Sequence, residues 1–598
     1  MAIRERDGGF GFILLVGVLL LSALPCASHL SGVHHPGQVA LLAAAGALHA
    51  FFLAAAWALF AAAASRLGRA GRALAIALCG PYLLYVAADS WAFGLVGAHL
   101  GRNNVGHLFQ VGALWTLGLT WIDLALALLF LALGCLLGFY ASMGLPADWR
   151  RLGAGALAAE LVVMLCASGV RAIRAEPYAG LADAVPMLWR PHPGRWFARR
   201  VASVVDDDLE FPSPPEPPSE GRSLAKEQPA TGLGSRPDVF LVVVESLRAD
   251  ALAAMPHVSA LAESSVVGLS HYSPANCTHL SMFSLLTGLD ASYWAARGTR
   301  ESPVGLHAFD AAGYQVVFKE SMALNFDLAD KILPHGEADV VPTPPMDPID
   351  RDDGNIRWAE EWVRSPHARP TFTILFLDAS HWPYWIEGDH SLEPDAFYIW
   401  EDGKAVRAVH ERYLRSIRDA DDRIERVVDA LRAAGRWDRT AFVVTGDHGE
   451  AFREHGVLMH GSRLDDEQIR VPLLMHLPGE RPRSLSGPSI HQDVLPTLLG
   501  WLGARLPQGP GMGADLWHGE PRSAPPLVAA CGTEIPQGYA ALVGRDKVLL
   551  EIGPHGASLV GVVGPEGELL AGPQISFDRE VRQSFSAATS LLAPLPGG

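Results

Sequence analysis

DVFLVVVESLRAD, residues 238–250, is the stretch from which the fold can be read. Six consecutive apolar residues, Val239 to Val244, end on Glu245. An unalternating apolar run of this length reads as a strand covered on both faces. A carboxylate at its C-terminal end stands where open α/β sheets bind ligands. Further candidate strands are YQVVFK (314–319), TFTILFL (371–377) and TAFVVT (440–445), and a long helical stretch fills 403–434. Strands alternating with helices predict an α/β sandwich.

Three segments carry polar groups that such a sheet would gather. The first is Glu245. The second is CTHLSMFSLLTG (277–288), a short helix with hydroxyls near its start. The third is TGDHGEAFREHGVLMHG (445–461), in which Asp447 and His448 directly follow a strand and His455 and His460 come soon after. Carboxylates and imidazole are the usual ligands of Zn²⁺ or Mn²⁺. A hydroxyl at a helix N-terminus gains from the free N–H groups there, and a neighbouring cation lowers its pKa towards the alkoxide.

The order of these motifs resembles the alkaline phosphatase superfamily, and within it the sulfatase-like branch. Sulfatases end their nucleophile motif in the same Leu-Leu-Thr-Gly. Counting back from Gly288 by their spacing lands on Thr278, and Ser281 matches the Ser of their Cys-x-Pro-Ser-Arg. The resemblance covers most of 238–505, including DEQIRVPLLMHLPG (466–479) and HQDVLPTLLGWLG (491–503), and LFLDASHWPY (375–384) fits a sulfatase-like His-Pro segment. Sulfatases need an oxidisable Cys or Ser and an Arg four residues on; here those positions are Thr278 and Met282. Their paired Asp of the first strand are Glu245 and Ser246. A single Glu, a Thr and Asp-His are instead similar to lipoteichoic-acid synthases and phosphoethanolamine transferases, and MHG (459–461) resembles the Leu-His-Gly of the latter. Those transferases carry several disulfides, which this chain cannot. The overall plan is also similar to the sulfatase-like inner-membrane regulators of lipopolysaccharide synthesis.

Carried over by position, the resemblance implies that Glu245, Asp447 and His448 hold one divalent metal ion, Zn²⁺ or Mn²⁺ with Mg²⁺ as a further option. Thr278 Oγ would be the fourth ligand and the nucleophile, giving a covalent phospho-threonine. His381 and His460 would bind phosphate oxygens or move protons. Cys277 lies one residue too far from the Leu-Leu-Thr-Gly to be the nucleophile and reads as packing beside it. His455 matches a family His without an assigned role, and His271 and His279 remain unassigned.

A chain of 598 residues is too long for one core. The apolar excess lies in the first part, where 9–28, 38–64, 73–98, 122–143 and 153–172 each have the length of a bilayer span. Arg4 and Arg6, then Arg66, Arg69 and Arg72, then Arg150 and Arg151 alternate with connectors holding only Arg102, which places the N-terminus in the cytoplasm. The expected organisation is a transmembrane domain of five helices (1–175), a membrane-surface segment rich in Trp and Arg (176–205), a disordered Pro-rich linker (206–237), the sulfatase-like catalytic domain (238–525) and a small β-rich end (526–598). Residues 1–204 contain 14 Arg, no Lys and 8 acids, which leaves about −23 of the net −17 for the remainder. An acidic soluble part excludes a nucleic-acid partner. Four of the six Cys lie in apolar runs, so Cys277 and Cys531 allow at most one disulfide.

The expectation is a metal-dependent hydrolase or transferase of phosphate-linked lipid headgroups, in the inner membrane with its catalytic domain on the periplasmic side. Its partners would be membrane lipids, with lipopolysaccharide or lipid A among them. The alternatives are a lipid-sensing regulator of envelope synthesis and a sulfate-ester hydrolase.

Overall fold

The computed structural model describes residues 236–571 apart from 295–303, 320–338, 342–347, 388–402, 505–511, 520–525, 532–538 and a few shorter breaks, with short pieces of helix between 67 and 135. The five expected spans, the membrane-surface segment and all but the end of the linker lie almost wholly outside the described residues. Among the described residues no helix is long and apolar enough to cross a membrane. Two compact units divide the chain, and all the elements named below belong to the second.

Eight strands form its main sheet: β1 (Asp238–Val244), β2 (Val266–Gly268), β3 (Gln315–Lys319), β4 (Asp339–Val341), β5 (Thr371–Leu377), β6 (Thr440–Gly446), β7 (Leu473–His476) and β8 (Arg483–Ser484). Their order is β8-β2-β7-β6-β1-β5-β3-β4. From β6 through β1 and β5 to β3 and β4 every neighbour is parallel. β7 is antiparallel to both β6 and β2, so the sheet is mixed at that side. The apolar run 239–244 forms the centre of the sheet and is buried on both faces. Side chains alternate across a strand. Val239, Leu241 and Val243 therefore join one core, which includes residues of α2 (Thr278–Thr287), α3 (Val304–Ala311) and α7 (Val494–Trp501). On the opposite face Phe240 stacks on Phe442.

α4 (Pro348–Arg364) and α5 (Gly403–Ala433) pack on each other. Tyr413, Ile417, Ile424, Val428 and Leu431 of α5 recur at helical spacing and are buried, which is what makes this charged helix stable. Arg423 and Arg426 bind Asp353 and Glu360 across to α4.

The register aligns the strand ends that build the site. Val244 pairs with Leu377 on one side and Gly446 on the other, so Glu245, Asp378 and Asp447 leave the sheet at the same edge. β6 runs one residue further than the sequence predicts because Gly446 stays paired with β1. Gly446 must be glycine, since a Cβ there would sit 2.5 Å from the Leu247 carbonyl oxygen.

The β-rich end is an antiparallel meander of β9 (Leu527–Ala529), β10 (Tyr539–Val543), β11 (Asp546–Gly553), β12 (Gly556–Val563) and β13 (Leu569–Ala571). Leu527, Ala529, Tyr539 and Ala541 share the core of α2. The Ala529 N–H donates to Pro274 O at 2.7 Å. Cys277 forms a disulfide with Cys531, 254 residues away and with 5.7 Å between Cα atoms. The pairing that the sequence leaves open is thus made: Cys277 sits beside the site as expected, and its sulfur is a covalent tether between the start of α2 and the meander.

A cross-link closing so long a loop contributes about 2–4 kcal/mol, chiefly through the unfolded chain. Thermal unfolding of the full chain should shift down when a thiol reductant is added, and Cys531→Ser should unfold at that lower temperature with or without it. A wild-type midpoint indifferent to reductant would contradict the tether.

Candidate active site

Glu245, fully buried, ends β1. Ser246 turns the chain away in the left-handed region, φ 56°, a conformation held by three contacts. Its N–H donates to Asp447 Oδ1 at 2.9 Å, its hydroxyl to Glu245 Oε1 at 3.0 Å, and its carbonyl accepts from Tyr413 Oη at 2.9 Å. Asp447 Oδ1 accepts a second N–H, that of His448, at 2.7 Å. One carboxylate oxygen is thus pinned by two backbone donors. The other, Oδ2, is buried without a hydrogen-bond partner and lies 3.3 Å from His448 Nε2.

His448 Nδ1 donates to Gly449 O at 2.9 Å, which leaves its Nε2 with a bare lone pair. That nitrogen is 3.4 Å from Glu245 Oε1 and 3.2 Å from Thr278 Oγ1. Thr278 Oγ1 is in turn 3.4 Å from Glu245 Oε2. Thr278 is the first residue of α2, after Cys277 in extended conformation as the N-cap. Side-chain oxygens of Glu245, Thr278 and Asp447 thus lie close to His448 Nε2, drawn from three segments far apart in sequence.

His460 reaches the same place from the side. Its ring centroid is 4.1 Å from that of His448, and its Nδ1 lies 3.4 Å from Glu450 Oε2, a fully buried carboxylate. Glu245, His448 and His460 each offer one ligand atom within 4.8 Å of the others. The His381 ring centroid is 5.6 Å from His460, and its Nδ1 is engaged by Trp382 O at 2.9 Å, which directs Nε2 elsewhere. The structure brings Thr278, Glu245, Asp447, His448 and His460 together, with His381 at the edge. Among the described residues His279 lies against the Trp294 ring, 5.4 Å away.

Burial, and then repulsion from Asp447, pushes the Glu245 carboxyl well above its usual range. Burial also raises Asp447, against the pull of the Ser246 and His448 N–H groups. Burial and the neighbouring His460 hold His448 well below the ordinary imidazole value. For His460 burial opposes the charge, but Glu450 and Asp447 outweigh it and the pKa is raised. Two buried carboxylates and a neutral imidazole, with one carboxylate oxygen unpartnered, lack a positive charge at their centre. Isolated buried charge is not tolerated, so a divalent cation fits this donor set: hard oxygens with one imidazole suit Zn²⁺ or Mn²⁺.

Several supporting residues act through contacts across the fold. Ser281, one turn along α2 from Thr278, donates its hydroxyl to the Asp447 carbonyl. Asn276 Nδ2 donates to Arg463 O at 2.8 Å and its Oδ1 accepts from the Cys531 N–H at 2.8 Å, so the residues before Thr278 are anchored on two sides. Glu450 stands inside a motif already singled out, and only its burial beneath His460 distinguishes it from a surface acid.

Residues 237–504, a little under half of the chain, match the Sulfatase family model. Over 290 residues the chain is 23% identical to the inner membrane protein YejM of Salmonella typhimurium, which covers 45% of this chain and 42% of that protein. It is 33% identical over 110 residues to the multifunctional alkaline phosphatase superfamily protein PehA of Trinickia caryophylli, 18% of this chain and 21% of that one. The matches thus span less than half the length of these curated relatives. Among solved structures, the lipoteichoic acid synthase LtaP of Listeria monocytogenes is similar over 63% of this chain and 99% of that chain, at 16% identity and TM-score 0.45. The phosphonate monoester hydrolase of Agrobacterium radiobacter is similar over 60% and 95%, at 17% identity and TM-score 0.47.

Zn²⁺ or Mn²⁺ should raise the unfolding midpoint of the wild type, by about 2.7 kcal/mol of stability at a hundredfold excess over Kd. In Asp447→Asn that gain should shrink or vanish. Without the ion, the raised carboxyl pKa values make the sign definite. Their contribution is full below the ordinary carboxylate range and is lost as pH rises through the elevated folded values, so the ion should stabilise more at neutral than at acid pH. An equal ion-dependent shift in Asp447→Asn would count against this site.

Proposed function

We propose that the sulfatase-family domain is a metal-dependent hydrolase or transferase of phosphate-linked headgroups, with Thr278 as nucleophile. The observation that carries this reading is the convergence of Thr278 Oγ1 on Glu245 and His448, next to an unpartnered Asp447 oxygen. Glu245, Asp447, His448 and Thr278 would hold one divalent cation, which when bound supplies positive charge that favours the alkoxide of Thr278 and offsets the charge of the phosphoryl oxygens.

Thr278 Oγ passes its proton to solvent and attacks phosphorus in line. The new O–P bond forms as the bond to the leaving alkoxide breaks, leaving a phospho-threonine. His460, held by Glu450 and with a raised pKa, is placed to hand a proton to the leaving oxygen. His381 is assigned to the phosphoryl oxygens. In the second half, water or an acceptor hydroxyl attacks the phospho-threonine, giving its proton to the base left by the first half, and Thr278 is restored. The α2 position where sulfatases carry Arg is Met282, buried and unable to bind an anion, which disfavours sulfate-ester hydrolysis.

The apolar runs before residue 175 and the likeness to a protein named for the inner membrane support a membrane-bound enzyme with this domain on the extracytoplasmic side. A lipid headgroup is then the nearest substrate. Full-length protein in liposomes with fluorescent phosphatidylethanolamine or phosphatidylglycerol and Mn²⁺ or Zn²⁺ should release or transfer headgroup. Thr278→Ala should lose at least about a hundredfold in rate. Headgroup turnover that survives Thr278→Ala would refute the nucleophile, and none in either protein, with metal bound, would favour a lipid-sensing regulator.

A further inference from the structure

A second set of buried histidines lies behind the site and has no part in the chemistry above. His271 and Tyr272 pair in parallel with Ser489 and Ile490, a two-residue bridge that places His271 beside the residue that follows, His491. His271 and His491 are both fully buried. His491 Nε2 lies 3.1 Å from the Asp447 carbonyl oxygen, His491 Nδ1 lies 2.9 Å from His271 Nε2, and His271 Nδ1 lies 2.9 Å from Ser489 Oγ. A carbonyl oxygen only accepts, so His491 Nε2 carries the hydrogen. With its hydrogen on Nε2, the neutral His491 ring accepts at Nδ1 from the Nε2–H of His271. The chain of donors has one direction, ending on Asp447.

That carbonyl is a junction. It also accepts the Ser281 hydroxyl from α2, the helix that starts with Thr278. One oxygen thus joins the loop carrying Asp447 and His448 to the helix carrying the hydroxyl. We infer that His491 and His271 are positioning residues, which fix the Asp447 carbonyl and through it the spacing between the Asp447–His448 loop and Thr278. This inference rests on the proposed function above, in which those groups bind one cation and react. Outer groups that orient metal ligands in this way commonly set affinity or activity by 10–100-fold.

The test uses full-length protein in liposomes, with Zn²⁺ affinity by titration calorimetry and headgroup turnover as parallel readouts. His491→Ala and His271→Ala should each weaken Zn²⁺ binding or lower kcat by about 10–100-fold, with KM little changed. The double variant should be no worse than either single one, because both break the same chain. His491→Gln keeps an N–H donor at that reach and should recover most of the loss, which a role in packing alone would not reproduce. Multiplying losses in the double variant, or wild-type affinity and kcat in His491→Ala, would overturn the inference alone. A wild type that neither binds Zn²⁺ nor turns over headgroup would overturn the functional reading and, with it, the inference.

Discussion

Two carboxylates and an imidazole are enclosed together at one strand edge, and the local structure is organised around them. Glu245 and Asp447 are fully buried, and both are pushed towards protonation by burial. Such a pair is costly in a protein interior unless something positive sits between them. The backbone does not relieve it, since the Ser246 and His448 N–H groups satisfy Asp447 Oδ1 and leave Oδ2 directed at His448. The strain at Ser246 has the same origin, because only a sharp left-handed turn at the end of β1 brings its N–H to that oxygen.

The rest of the domain holds this arrangement from several sides. The parallel register of β1 with β5 and β6 sets the edge from which the acids emerge. The disulfide and Asn276 clamp the residues just before Thr278 to the meander. Tyr413 links α5 to the Ser246 turn. These contacts tie down the chain beside Glu245, Thr278 and Asp447, so their side chains are placed by rigid elements, as the proposed reaction requires.

Much of the α/β fold was legible because buried parallel strands leave a strong trace. The run 239–244 and TFTILFL at 371–377 have no polar face and were readable as central strands, and the latter matches β5 end to end. The antiparallel β7 and the two-residue bridge at His271 were not readable, being short and set by partners distant in sequence. In the site, Glu245, Asp447 and His448 stand out because each follows an apolar run, and Thr278 through the resemblance, by its spacing to Leu-Leu-Thr-Gly. His491, Asn276 and Glu450 do not, since their importance lies in contacts across the fold: a buried His inside HQDVLP looks like any other polar residue before a helix. The pairing of Cys277 with Cys531 was likewise open in the sequence, where two cysteines 254 residues apart carry no geometric information.

The central claim, that Glu245, Asp447, His448 and Thr278 bind a single divalent cation, is tested most directly by a crystal of the full chain soaked in Zn²⁺ and measured above and below the zinc absorption edge. The account predicts one anomalous peak within about 2.0–2.2 Å of the Glu245 and Asp447 carboxylates and of His448 Nε2, with Thr278 Oγ facing it. No peak there, with the side chains ordered as described, or a peak held only by surface acids, would contradict it.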